Sequence, residues 1–206
     1  MRIRHTALER AADIRSLVLA GGASTRMGFD KALLNFGDGP QVRRVAGMLE
    51  RLCRLVYVSV RREQVVQPAF AGLRLLPDEE EGIGPLEGLL SAFREAPNCA
   101  WLVVAVDMPF LSEATLRRLV ERRDTSLFAT AYRNPQTNRP EPVCAIYEPR
   151  ILPVLREAKA RKRYSLMLLR DVPIYLIEPL QAAELKNIND PEEYREAGGV
   201  SFPPAP

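Results

Sequence analysis

Short apolar runs alternate with stretches whose apolar residues recur at helical spacing, and this alternation constrains the chain more than any other feature. The runs fall at 14–20, 55–60, 73–77, 101–106, 127–131, 143–147 and 174–177. Helical spacing appears at 42–53 (Val42, Val45, Ala46, Leu49, Leu52, Cys53), 85–95, 112–122 and 149–160, with shorter segments at 165–170 and 191–197. Such alternation buries both kinds of element as βαβ units. Run 101–106 is almost wholly apolar, the mark of a strand covered on both faces. The expected fold class is therefore α/β in three layers, a mostly parallel sheet with helices on both faces. Ligands in such sheets bind beyond the carboxyl ends of the strands. With 206 residues, one domain is expected, with a core at about 14–197 and a Gly/Pro-rich tail at 198–206 that frays. Residues 133–142 hold three prolines and read as an irregular loop.

Composition narrows the chemistry. A net charge of +3 is too small to argue for duplex DNA or an anionic membrane, and suits small phosphorylated ligands. Cys53, Cys99 and Cys144 are far apart in apolar surroundings, which reads as free thiols in a reducing compartment. No CxxC or Cys/His cluster points to zinc. His5 is the sole histidine and precedes the first strand, so a Ser-His-Asp triad is excluded. Residues 1–13 are charged without an apolar signal core, and no run approaches the roughly 20 apolar residues of a membrane span. The expected location is the cytoplasm.

The first strand runs into Leu19-Ala-Gly-Gly-Ala-Ser-Thr-Arg-Met-Gly-Phe-Asp-Lys31. Gly21, Gly22 and Gly28 let a backbone approach a ligand closely, and successive N–H groups in such a turn form an anion nest. Arg26 and Lys31 add mobile positive charge. The dinucleotide pattern GxGxxG is absent, and Lys31 comes too late after Gly28 for a P-loop. Asp107 closes the central strand, where a carboxylate can hold Mg²⁺ together with substrate phosphates. Ser112 is the better cap for the helix that follows. Gly84 and Pro85 open another helix, whose first N–H groups are unpaired and can meet a ligand, although proline there is also ordinary helix grammar. The run Glu79–Glu81 reads as solvated charge. Arg156, Lys159, Arg161, Lys162 and Arg163 read as a solvated helix face, or as a cradle for an anion.

The segment 19–31 resembles the signature of the molybdenum cofactor guanylyltransferase family, within the wider nucleotide-diphospho-sugar transferase-like α/β fold. The likeness continues at Gly84-Pro85-Leu86-Glu87-Gly88, at 106–111, at Arg139-Pro140-Glu141-Pro142 and at 187–193, in family order over nearly the whole chain. It implies transfer of GMP from GTP to molybdopterin bearing molybdenum, with release of pyrophosphate. It makes Arg26, Lys31 and Asp107 the catalytic set, with Mg²⁺ on Asp107. Asn189 lies near that metal and the α-phosphate, unless it caps the helix at 191. The implied nucleotide site comprises Leu19, Ala20, Gly21, Gly22, Gly28, Lys31, Ser59, Asp78, Gly84, Pro85 and Asp107. Arg139 and Glu141 fall where the family accepts the pterin, unless they belong to an exposed mobile loop. At Ser59 the family often carries asparagine. Relatives that use CTP tend to read Leu-Ala-Ala-Gly, whereas this chain reads Leu19-Ala20-Gly21-Gly22. The alternatives are a sister enzyme using CTP or another phosphorylated acceptor, and a nucleotide-binding adaptor without catalysis. Other proteins of cofactor biosynthesis or molybdoenzyme maturation are the implied protein partners.

Overall fold

The strand Ala100–Ala105 (β4) is buried along its whole length, which requires cover on both faces and a neighbour on each edge. The computed structural model describes residues 13–22 and 29–200 and supplies both. The other strands are Ile14–Leu19 (β1), Val56–Val60 (β2), Arg74–Pro77 (β3), Ala129–Asn134 (β5), Arg139–Tyr147 (β6) and Ile174–Ile177 (β7). They form one sheet in the order β3-β2-β1-β4-β6-β5-β7. Every pairing is parallel except those of β6, which runs antiparallel to β4 and β5.

The helices are Gln41–Glu50 (α1), Pro85–Glu95 (α2), Glu113–Glu121 (α3), Leu152–Ala160 (α4) and Pro191–Glu196 (α5). Strand alternation sends Val18, Val58, Leu102 and Val104 to one face, where Val45, Leu49, Leu116 and Leu119 of α1 and α3 cover them. It sends Leu17, Trp101, Val103 and Ala145 to the other, against Leu86, Leu89, Phe93 and Leu155 of α2 and α4. Residues such as Leu102 have no exposed surface, so truncation to alanine would cost about 2–5 kcal/mol. Ser112 caps α3 by accepting from the Thr115 N–H at 3.2 Å, and Asp190 caps α5 by accepting from Glu192 and Glu193.

Two expectations need correction. Residues 133–142 are not an irregular loop: they are the end of β5, a turn through Asn138 at φ 55°, and the start of β6. Prolines fit there because β4 pairs only with residues from Cys144 onward, so Pro140 and Pro142 lie where β6 has a strand on one side. A register shift between Ala131 and Arg133 lies beside them. The tail does not fray at its start, since the Gly199 N–H bonds Tyr194 O and the Val200 N–H bonds Asn35 O, each at 3.0 Å. A smaller difference concerns 149–160, which opens as a separate turn, Pro149–Ile151, before α4. Pro153 brings no N–H to join the two into one helix.

Candidate functional site

The chain runs outward from β1 to β2 and β3, then returns to the other side of β1 to form β4. That reversal opens a crevice between the carboxyl ends of β1 and β4. Leu19 and Ala105 are register partners there, and the Val106 N–H bonds Leu19 O at 3.2 Å. Ala20 and Val106 therefore leave the sheet side by side, with Gly21 and Asp107 next along each chain.

A cavity of about 500 Å³ fills this crevice. Leu19, Ala20, Gly21, Gly22 and Lys31 line one side, and Ser59, Asp78, Gly84, Pro85, Asp107 and Asn189 line the rest. Arg26 and Gly28 lie outside the described residues. Arg139 and Glu141 do not line the cavity. Arg139 is exposed on the hairpin, and Glu141 is buried, accepting from Asn134 Nδ2 at 2.8 Å. Burial pushes the Glu141 carboxyl up, against the Asn134 and Val143 donors, and the charge of Asp107 adds to the rise.

Lys31, Asp107 and Asn189 come from three distant segments and meet. Lys31 Nζ donates to Asp107 Oδ2 and to Asn189 Oδ1, each at 3.0 Å. Lys31 is set by the turn Lys31–Leu33, which Asp30 caps by accepting from the Ala32 N–H at 2.9 Å. Asn189 is brought in because the Ile188 N–H bonds Asp107 O at 2.8 Å, and Asp190 takes the capping role. Tyr194 of α5 ties that segment back to Asn35, donating to its carbonyl at 2.7 Å.

Asp78 and Ser59 line the same cavity. Ser59 Oγ donates to Asp78 Oδ1 at 3.1 Å. Burial raises the Asp78 carboxyl to about 6, opposed by the Ser59 hydroxyl and assisted by the charge of Glu87. Gly84 has φ 68° at the start of α2, a conformation that favours glycine and turns the chain so that Pro85 begins the helix at the cavity rim. A Cβ at Gly21 would stand 3.0 Å from Asp78 Oδ2, a tight contact that would push the carboxylate away by a few tenths of an ångström.

Sequence reasoning missed the groups that hold the glycine turn. Gln64 is fully buried and donates from Nε2 to Ala20 O at 3.1 Å and to Asp30 Oδ2 at 2.5 Å. Arg61 Nη1 donates to Gly21 O at 3.3 Å and to Gly22 O, and its guanidinium pairs with Asp30 at 3.6 Å. These donors draw consecutive carbonyls to one side, and the Gly21 N–H has no partner among the described residues. Nothing local in Arg61-Arg62-Glu63-Gln64 signals this, because the partners lie some forty residues back. Asn187 was also missed: it lines the cavity, and its Oδ1 is buried without a partner.

The donor set suits a hard divalent ion. Asp107 Oδ1 is buried without a hydrogen bond, while Oδ2 and Asn189 Oδ1 already gather about an ammonium. Among the described residues no three His, Cys, Asp or Glu side chains cluster as a closed metal cage. One carboxylate and an amide oxygen at a cavity of nucleotide size match the manner of Mg²⁺, which completes its shell with phosphate and water.

The basic residues of α4 and just beyond do not line this cavity. Lys159 pairs with Glu80 and Glu87 at 2.8 Å, Arg161 with Glu157 at 2.6 Å, and Arg163 with Asp171 at 3.0 Å. The acidic run Glu79–Glu81 is exposed, as expected of solvated charge, while Glu79 also meets Arg94 at 3.2 Å. All three cysteines are free.

Comparison with known proteins bears on family and fold. The molybdenum cofactor biosynthesis bifunctional protein of Synechocystis is 32% identical over 179 residues, 86% of this chain and 52% of that protein. The chain thus spans about half the length of that relative. The molybdenum cofactor guanylyltransferase of Pseudomonas putida is 32% identical over 189 residues, covering 87% of this chain and 95% of that one. The crystal structure of molybdopterin-guanine dinucleotide biosynthesis protein A from Archaeoglobus fulgidus superposes with a TM-score of 0.74 at 20% identity, over 89% of this chain and 96% of its own, a likeness of fold. Residues 16–173 match the MobA-like NTP transferase domain, and the chain belongs to that family.

Proposed function

We propose that this chain transfers GMP from GTP to the terminal phosphate of molybdenum-bearing molybdopterin, releasing pyrophosphate in the cytoplasm. The observation that carries the reading is the meeting of Lys31, Asp107 and Asn189 in one cavity with the Gly21–Gly22 turn, with Asp107 Oδ1 buried and unpartnered beside them.

The acceptor phosphate is already anionic near neutral pH, so no side chain has to remove a proton from it. That suits a chain whose sole histidine is His5. An acceptor oxygen attacks the α-phosphorus in line, the new P–O bond forms, and the bond to the β-phosphate oxygen breaks. Catalysis then rests on positioning and on offsetting charge. The Gly21 amide, Lys31 and, by the family resemblance, Arg26 and Gly28 face the triphosphate and stabilise the leaving pyrophosphate. Asp107 and Asn189 would hold Mg²⁺, which supplies charge neutralisation on the phosphates when bound. Asp78, steadied by Ser59, faces the base. A carboxylate accepts two N–H donors, which the guanine edge offers side by side and the cytosine edge does not. This supports GTP over CTP despite Ser59 in place of the asparagine common in the family. Pyrophosphate release measured with each nucleoside triphosphate and molybdopterin tests the proposal. Release with GTP alone is expected. Equal or faster release with CTP would replace guanylyl by cytidylyl transfer, and nucleotide binding without release to any acceptor would favour the adaptor reading.

A further inference from the structure

The two oxygens best placed for a divalent ion are already held by a cation of the chain itself. Lys31 Nζ lies 3.0 Å from Asp107 Oδ2 and 3.0 Å from Asn189 Oδ1. Mg²⁺ takes such oxygens at about 2.0–2.1 Å. An ammonium in hydrogen-bond contact with both cannot stay while the ion enters, for want of space and because like charges repel.

We infer that Lys31 is a tethered counter-ion that keeps free divalent metal off Asp107 and Asn189, and that it leaves them for the phosphates when metal and triphosphate arrive together. This rests on the reading above for the identity of the phosphate ligand. Three features of the molecule support it. The backbone of Lys31 is fixed by the Asp30-capped turn, while its four-carbon stem carries rotatable bonds through which the ammonium can be redirected. Lys31, Asp107 and the glycine turn line one cavity, so the pivot stays within it. With Lys31 paired to Asp107, the two charges cancel, and a bare divalent ion meets no net attraction. A metal–triphosphate complex changes that balance, because its phosphate oxygens compete with the carboxylate for the ammonium as its metal competes for the carboxylate. Asp107 Oδ1 is buried without a partner, so the carboxylate has a second oxygen to offer once the ammonium leaves. Metal affinity and nucleotide affinity are then coupled, each raising the other by one factor.

The test needs neither nucleotide nor turnover. Mn²⁺ binding to the full chain is followed by electron paramagnetic resonance for the wild type, Lys31→Met and Lys31→Met/Asp107→Asn. The expected result is that Lys31→Met binds Mn²⁺ at least about tenfold more tightly than wild type, the scale of one partly screened charge contact, and that the double variant loses the gain. An affinity of Lys31→Met equal to or weaker than wild type overturns the inference. Should Lys31→Met fail to fold, wild type and Asp107→Asn decide the matter. Equal Mn²⁺ affinity is expected while Lys31 is in place, and a loss in Asp107→Asn would show the carboxylate open to metal and overturn the inference. Failure of the proposed function shows differently, as no heat when wild type is titrated with Mg-GTP.

Discussion

Asp107 and Glu87 are both carboxylates drawn out of bulk water, and each meets a lysine from a distant segment, yet they are finished differently. Glu87 is fully buried, and both its oxygens are taken: Arg94 Nη2 on one and Lys159 Nζ on the other, each at 2.8 Å. Burial alone would raise its carboxyl, but the bonds from Lys159 and Arg94 outweigh that and hold it low. Asp107 has Lys31 on one oxygen and nothing on the other, and it opens on a cavity. A saturated ion cluster behind a helix stabilises the fold. An ion cluster left one bond short at the mouth of a crevice is open to a ligand.

The sharpest way to break this comparison is to neutralise each acid in turn. Asp107→Asn is expected to lower GMP transfer by about 10³-fold while the melting temperature stays near that of wild type. Near-normal transfer would remove Asp107 from the reaction. Glu87→Gln is expected to do the reverse. It leaves two cations facing a neutral amide and costs about 2 kcal/mol, less than a sealed pair because Arg94 and Lys159 are partly exposed and keep Glu79 and Glu80. Turnover per folded molecule should stay within a few-fold of wild type. A large loss of turnover without loss of stability would mean that the two clusters do not divide as described.

The same division explains what could be read without coordinates. The strands, α2 and the capping of α3 by Ser112 follow from local signals, apolar runs and a hydroxyl before a helix, so they were legible. That Gly21, Gly22, Asp107 and Asn189 line one cavity agrees with where the family resemblance put them. The bracing of the glycine turn by Arg61 and Gln64 was not legible, because side chains reaching back to Ala20, Gly21 and Gly22 leave no local pattern. The strand through Pro140 and Pro142 was hidden by the usual meaning of clustered prolines, which fails where β6 outruns β4. Lys159 looked like solvated charge because its buried partner, Glu87, lies 72 residues away.

Arg61 tests whether the open cluster depends on its bracing. Arg61→Ala frees the carbonyls of Gly21 and Gly22, so the amides that face the triphosphate lose their fixed direction. The expected effect is a rise of about tenfold in KM for the nucleotide, or ~1.4 kcal/mol, with kcat changed less. Arg61→Lys should recover little of it, because one ammonium does not reproduce a guanidinium fork. Full recovery with lysine would reduce Arg61 to a source of charge.

The smallest effect separates two acids by the sign of their titration. Asp78 has its carboxyl raised by burial from the ordinary 3.8 to about 6, so between those pH values the folded chain binds more protons than the unfolded chain. Its contribution to stability therefore falls as pH rises through that window and stays at the lower level above it. Glu87 is held low, so its contribution is present above the ordinary carboxylate range and is lost as pH falls through its folded pKa. Asp78→Asn should then melt above wild type at pH 8 and lose that advantage by pH 4. Solvent screening at this partly exposed carboxylate keeps the difference to about 1 kcal/mol, or ~2–4 °C. Glu87→Gln should melt below wild type at pH 8, with a deficit that shrinks in acid. Thermal melts of the three proteins across pH 4–8 would show differences of opposite sign at pH 8. Two variants that shift the same way there would mean that Asp78 is a structural acid like Glu87, and not one held ready for a ligand.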